Sequence, residues 1–202
     1  MIRQLYRVLR AKLGLGSPVA PQIWNRQFGA GEWDFLEGAD ESAHYEAIVA
    51  LYKRFCDQEL ILDIGCGNGV LFKYLKEKGS LPPSLYHGID LSSAAIAICQ
   101  RKYPEAHFAH CDFDSDEAAL EKRAGVIVFN ETLYYFSKPL QTLKKAQAKH
   151  LKRGGHFIIS MCEYPGHDQL WTSIEACYER LDRQTVTNQK GQVWSVRAFR
   201  AE

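Results

Sequence analysis

Apolar residues follow two rhythms along this chain. Short apolar runs alternate with longer stretches in which apolar residues recur every three or four positions. The runs are Leu60 to Ile64, Tyr86 to Asp90, Ala106 to Cys111, Gly125 to Phe129 and His156 to Met161. Runs of this length, bounded by Gly, Pro or acids, predict strands, and uninterrupted apolarity as in Val126-Ile127-Val128-Phe129 predicts strands covered on both faces. The helical rhythm predicts helices from Tyr45 to Phe55, Val70 to Lys78, Ser92 to Tyr103, Ser115 to Lys122, Ser137 to His150 and His167 to Leu181. Gly79 is expected to end the second of these, and Gly154-Gly155 to turn the chain into the strand at His156. Two alternating runs, Gln184 to Asn188 and Gln192 to Phe199, flank Asn188-Gln189-Lys190-Gly191 and predict a terminal hairpin. Strands alternating with helices predict an α/β fold, a doubly wound and mainly parallel sheet with helices on both faces.

The first 40 residues stand apart from the domain expected over residues 41–202. Ile2, Leu5, Tyr6, Leu9 and Leu13 keep helical spacing, with Arg3, Arg7 and Arg10 beside them. Such a face suits a membrane surface, a partner, or the chain's own domain. Gly14, Gly16, Pro18 and Pro21 read as a linker. Trp24, Phe28, Trp33 and Phe35 follow, interrupted by Gly29, Gly31 and Asp34. They read either as an aromatic lid or as filler between linker and core.

Composition narrows the function classes. A net charge of +1 carries no nucleic-acid signature. The six cysteines form no Cys-x-x-Cys pair and fall mostly in apolar runs, which predicts buried thiols in a reducing compartment and no zinc site. No run is long and apolar enough to cross a bilayer and no signal peptide is visible, so a cytoplasmic location is expected.

The chemistry concentrates after the first strand. Asp63-Ile64-Gly65-Cys66-Gly67-Asn68-Gly69 breaks from a buried run into a tight turn and then a helix, a junction where backbone N–H groups face a ligand. Two further runs end in acids, at Asp90 and at Asp112. The turn has no Lys or Arg, and no Lys-Ser or Lys-Thr follows it, so a phosphate-cradling loop is excluded and a pyrophosphate is disfavoured. The acid row suits a ligand with cationic groups, hydroxyls and an amino group.

These features resemble the class I S-adenosylmethionine (SAM)-dependent methyltransferases. The resemblance runs from about Glu41 to the C-terminus, through the glycine turn, Gly88 to Ile96, His110 to Asp114, Val126 to Phe136 and Leu151 to Ser160 in the family's order. It implies a seven-stranded sheet whose terminal hairpin inserts one antiparallel strand, a feature that disfavours a nicotinamide-dependent oxidoreductase. It implies SAM as cofactor, with Gly65, Cys66, Gly67 and Asn68 under its methionine part and Asp63 near its ammonium. Asp90 would hold the ribose diol, Leu91 and Phe113 would flank the adenine, Asp112 would accept from the adenine amino group, and Asn130 would line the pocket. Among catalytic candidates, Glu131 and Tyr134 follow the fourth strand and His167 follows the fifth; each offers a polar group to an acceptor. Because SAM is already activated, alignment without a base is the competing expectation. The compact core suits a small-molecule acceptor, with a saccharide or glycan precursor among the candidates, and leaves little apparatus for RNA or protein.

Overall fold

The computed structural model describes residues 8–115 and 122–202. Seven strands form one sheet: β1 (Ile61–Ile64), β2 (Tyr86–Asp90), β3 (His107–His110), β4 (Ala124–Asn130), β5 (Leu151–Cys162), β6 (Glu179–Thr187) and β7 (Val193–Arg200). Their order is β3-β2-β1-β4-β5-β7-β6. The first five in this order run parallel, and β7 is antiparallel to both β5 and β6. The predicted hairpin and its single reversed strand are therefore present. The chain reverses its winding between β1 and β4, and the carboxyl ends of these strands open the crevice where such sheets bind ligands.

Beyond residue 20, six α-helices among the described residues pack around the sheet: α1 (Pro21–Gly29), α2 (Ser42–Phe55), α3 (Val70–Gly79), α4 (Ser93–Lys102), α5 (Pro139–His150) and α6 (His167–Glu175). The period-2 alternation of the strands sorts apolar side chains to two faces. Ile61, Val126, Val128 and Ile158 join Ile48, Tyr52, Leu71 and Phe72 on one face. Leu62, Ile64, Ile127, Phe129, Phe157 and Ile159 join Leu143, Trp171 and Ile174 on the other. Most of these are fully buried, and each such side chain contributes about 1.5–3 kcal/mol of hydrophobic stabilisation. This two-sided covering is why the central strands read as unbroken apolar runs.

Several predicted boundaries move. Pro21, expected in a linker, is the first residue of α1, where its missing N–H costs nothing and its φ suits the helix. Gly79 is the last helical residue of α3, and the left-handed position that ends the helix is Ser80, at φ 56°. Gly154-Gly155 does not open a strand. β5 already runs from Leu151, and Lys152 to Gly155 bulge out of register between its pairings at Ala124 and Val126. α6 stops at Glu175, and the residues predicted to extend it begin β6 at Glu179. Cys177 is exposed, whereas the other five cysteines are buried as expected. Residues 116–121 of the predicted helix from Ser115 to Lys122, and much of the opening amphipathic segment, lie outside the described residues. Of that segment, residues 8–12 are helical, and Leu9 and Leu13 are 56% and 68% exposed.

The linker is tied to the domain. The Gly16 and Ser17 amides donate to the carbonyls of Ser137 and Tyr134 at 3.1 and 2.8 Å. Gly16 is required for that approach, because a Cβ there would lie 1.9 Å from the Phe136 carbonyl oxygen. Among the described residues, no helix is long and apolar enough to cross a membrane.

Candidate active site

The turn after β1 is held from below. The amides of Gly65 and Cys66 both donate to the Ile89 carbonyl, at 2.8 and 3.0 Å. Gly65 has φ 80°, and a Cβ there would strike Thr132 Cγ2 at 2.4 Å, so glycine is needed for conformation and for space alike. Thr132 in turn donates its hydroxyl to the Ile64 carbonyl at 2.8 Å. The turn and the loop after β4 are thereby locked together.

Above them lies a cavity of about 710 Å³. Asp63, Gly65, Cys66, Gly67, Asn68, Asp90, Leu91, Asp112, Phe113, Asn130, Glu131 and Tyr134 all line it. Twelve of the thirteen residues singled out from the sequence thus converge on one space. His167 does not. It borders a separate cavity of about 250 Å³, its Nδ1 lies 2.6 Å from the Cys162 carbonyl oxygen, and its ring stacks on Tyr134 at 4.4 Å. Its contacts orient Tyr134.

The acids differ in what they are free to do. Asp63 is 1% exposed; its Oδ2 accepts from the Tyr86 hydroxyl at 2.5 Å, while its Oδ1 is buried without a partner. Burial raises its pKa to about 7. Asp90 accepts the Gly67 amide at 2.8 Å and the Ser92 amide at 2.7 Å, one on each oxygen, and burial raises its pKa as well. Each of its oxygens keeps a second lone pair. Asp112 accepts from the Asp114 amide at 3.1 Å, a turn-capping contact. Asp114 accepts from the Ser137 amide and from the hydroxyls of Ser137 and Thr142, which ties the turn after β3 to the start of α5. Lys145 of α5 reaches back to donate to the Phe113 carbonyl at 2.5 Å.

Glu131 sits at φ 58°, a left-handed conformation uncommon for a side chain of this size. Three donors hold its carboxylate: Tyr134 Oη and the Cys162 amide on Oε2, at 3.1 and 3.0 Å, and Ser160 Oγ on Oε1, at 3.1 Å. Burial outweighs these bonds and raises its pKa to about 7. A carboxylate titrating there can gain or lose a proton near neutrality.

The cavity also has walls that sequence reasoning passed over. Glu41 and His44 come from the entry to α2, and Gln192 and Trp194 from the hairpin. Their signals were ambiguous: His44 and Tyr45 follow the apolar spacing of α2, and Trp194 follows the alternation of β7. The aromatic segment, expected as lid or filler, lines the opposite wall. Trp24, Phe28, Trp33 and Phe35 all border the cavity and pack on one another and on Tyr135, with Trp24 and Tyr135 edge to face at 5.1 Å. Six acids line the space, and no Lys or Arg does so among the described residues.

Comparison with known proteins agrees with this geometry. A family model described as a methyltransferase domain matches residues 37–201. A malonyl-[acyl-carrier protein] O-methyltransferase of Priestia megaterium is 30% identical over 142 residues, covering 69% of this chain and 51% of that protein. The chain spans about half the length of the curated relatives it matches. Among solved structures, the N-methyltransferase NodS of Bradyrhizobium japonicum, in complex with S-adenosylhomocysteine, superposes with a TM-score of 0.70 at 18% identity, over 89% of this chain and 96% of that one. The [4+2]-cyclase SpnF superposes equally well, at 0.70 and 14% identity, over 92% and 97%. These two likenesses establish the fold.

Proposed function

The chain belongs to the methyltransferase-domain family, and from that premise we propose that it transfers the methyl group of S-adenosylmethionine to an O or N nucleophile of a small molecule. The observation that carries this reading is the cavity itself, a space of about 710 Å³ beside the glycine turn, lined among the described residues by six acids and by no Lys or Arg. The donor set fits the cofactor. The orphaned, buried Oδ1 of Asp63 awaits a hydrogen-bond donor such as an ammonium, and the spare lone pairs of Asp90 suit a vicinal diol. Leu91 and Phe113 supply apolar contact for the adenine, and Asn130 presents a second buried oxygen without a partner.

When bound, S-adenosylmethionine supplies a methyl group already activated on a sulfonium. The chain's own contribution is then threefold. The acids hold and orient the cation. The aromatic wall of α1 and the segment after it excludes water. Glu131, held by three donors and titrating near 7, takes the proton that a hydroxyl or amine nucleophile must lose. Tyr134 positions that carboxylate, and His167 positions Tyr134. The stretch from Pro18 to Leu36, which borders the cavity, closes the site as a lid on the domain formed by residues 41–202.

Thermal unfolding with S-adenosylmethionine, S-adenosylhomocysteine or NAD tests the reading. The two adenosyl compounds raise the melting temperature and NAD does not. A rise with NAD alone would overturn it. Release of S-adenosylhomocysteine in a coupled assay across hydroxyl and amine acceptors then measures the transfer.

A further inference from the structure

Once the cofactor's acids are assigned, the cavity lining still holds a side chain whose polar atoms have no partner. His44 is 1% exposed, lines the cavity, and has no hydrogen-bond partner on either ring nitrogen. The nearest carboxylate oxygen, Oε2 of Glu41, is 3.9 Å from Nδ1. Burial lowers the His44 pKa to about 3, so the ring is neutral at pH 7. A neutral imidazole has one N–H donor and one acceptor nitrogen, and here both are unspent. Leaving two buried polar atoms unpaired costs on the order of what two hydrogen bonds would supply. The ring is nonetheless clamped, stacked on Trp194 at 5.1 Å and packed at a tilt against Tyr45 at 4.1 Å. A side chain held this firmly, with its polar edge unpaired in a binding cavity, is arranged for a ligand.

The charge around it is one-sided. Glu41 and Glu131 both line the cavity, and the charge of Glu41 adds to the upward shift of the Glu131 pKa. No Lys or Arg borders the cavity among the described residues; Lys190, paired with Asp40 outside it, offsets only part of the Glu41 charge. A carboxylate or phosphate on the acceptor would be repelled here, and an amine would relieve the repulsion. Trp194, which borders the cavity and stacks on His44, gives this part of the wall an aromatic surround.

We propose that Glu41, His44, Glu131 and Trp194 form the acceptor subsite, and that it takes a small molecule bearing an amine. The inference rests on the methyl-transfer reading above and sharpens it from an O or N nucleophile to nitrogen. It also sets this chain apart from an enzyme named for a malonyl acceptor, because a free carboxylate has no counter-charge in this cavity.

The test uses three probes of one size and three charges: benzylamine, benzyl alcohol and phenylacetate. Each is titrated by calorimetry into full-length protein saturated with S-adenosylhomocysteine. Benzylamine is expected to bind most tightly and phenylacetate not measurably. Glu41→Gln is expected to weaken benzylamine by about ten-fold, the loss typical of a charge-assisted hydrogen bond, with S-adenosylhomocysteine affinity within about two-fold of wild type. His44→Phe keeps the ring stack and removes both nitrogens, and is expected to weaken benzylamine by a similar factor. Should Glu41→Gln also lose S-adenosylhomocysteine, His44→Phe decides alone. Binding of phenylacetate or benzyl alcohol as tight as that of benzylamine, no binding of any probe, or His44→Phe behaving as wild type overturns the subsite. Wild-type protein that ignores S-adenosylhomocysteine instead defeats the donor reading, so the two failures are told apart.

Discussion

Replacing Asp90 with alanine removes two things at once. The Gly67 and Ser92 amides lose their acceptor, and a ribose loses its diol partner. The first loss loosens the glycine turn, because a buried N–H left unpaired costs about 1–3 kcal/mol. The second falls on the ligand. Calorimetry is expected to show S-adenosylhomocysteine binding weakened by at least about a hundred-fold, with a lowered melting temperature; unchanged affinity would remove Asp90 from the site. Glu131→Gln separates a different pair of effects. Glutamine retains an acceptor oxygen for its neighbours but takes up no proton, so turnover should fall while S-adenosylhomocysteine affinity holds. A wild-type rate would leave alignment as the whole of the catalysis. Both residues were legible in the sequence because an acid at the end of an apolar run has few structural uses. Glu41 and His44 were not, since a polar residue on a helix that docks onto a core looks the same whether it faces a cavity or a neighbour.

Helix α1 shows what a pattern of residue types hides at the level of elements. Its opening proline resembled a linker and its closing Gly29 resembled a break, yet it closes one wall of the cavity. The residue that seats it is Asn25. Its Oδ1 accepts from Ser92 Oγ at 2.9 Å, and from Ser93 Oγ and the Ala94 amide at 3.2 Å each. A side chain from one helix thus satisfies the first turn of another, α4, whose start also carries the Asp90 contacts. Asn25→Ala should cost about 1 kcal/mol of stability, in the range of a lost cap. Its larger effect should be on the ligand, since the wall carrying Trp24 and Phe28 is no longer latched. Stopped-flow tryptophan fluorescence is expected to show faster S-adenosylhomocysteine release in the variant. Equal release rates would mean that aromatic packing alone holds the wall. The strands and the hairpin were readable because their periods are short and their interruptions few. The misplaced ends, the bulge at residues 152–155 and the early stop of α6, arise where register or sheet pairing overrides local preference.

Across the whole molecule, buried titratable groups pull stability in opposite directions. His44 and His87 have pKa values lowered by burial to about 3 and about 4, against an ordinary 6.5. Between about pH 4 and 6.5 the unfolded chain binds more protons at these two sites than the folded one, so stability rises with pH. Asp63 and Glu131 have pKa values raised by burial to about 7, against ordinary values of 3.8 and 4.5. Between about pH 4.5 and 7 the folded chain holds the extra protons, so their contribution to stability falls with pH. Each proton of difference is worth about 1.4 kcal/mol per pH unit, and two sites oppose two. From these four groups the ligand-free protein should gain little net slope between pH 4.5 and 6.5. Saturation with S-adenosylmethionine changes one side of this balance, because a cation favours the ionised acids and cancels their contribution. The histidine slope is then uncovered, and the stabilisation given by the ligand should grow as pH rises from 5 to 7. Urea unfolding at half-unit intervals, with and without the ligand, checks this: the two stability curves should diverge with rising pH. Parallel curves would show that binding leaves the protonation of Asp63 and Glu131 unchanged, and would remove both from the cation's surroundings.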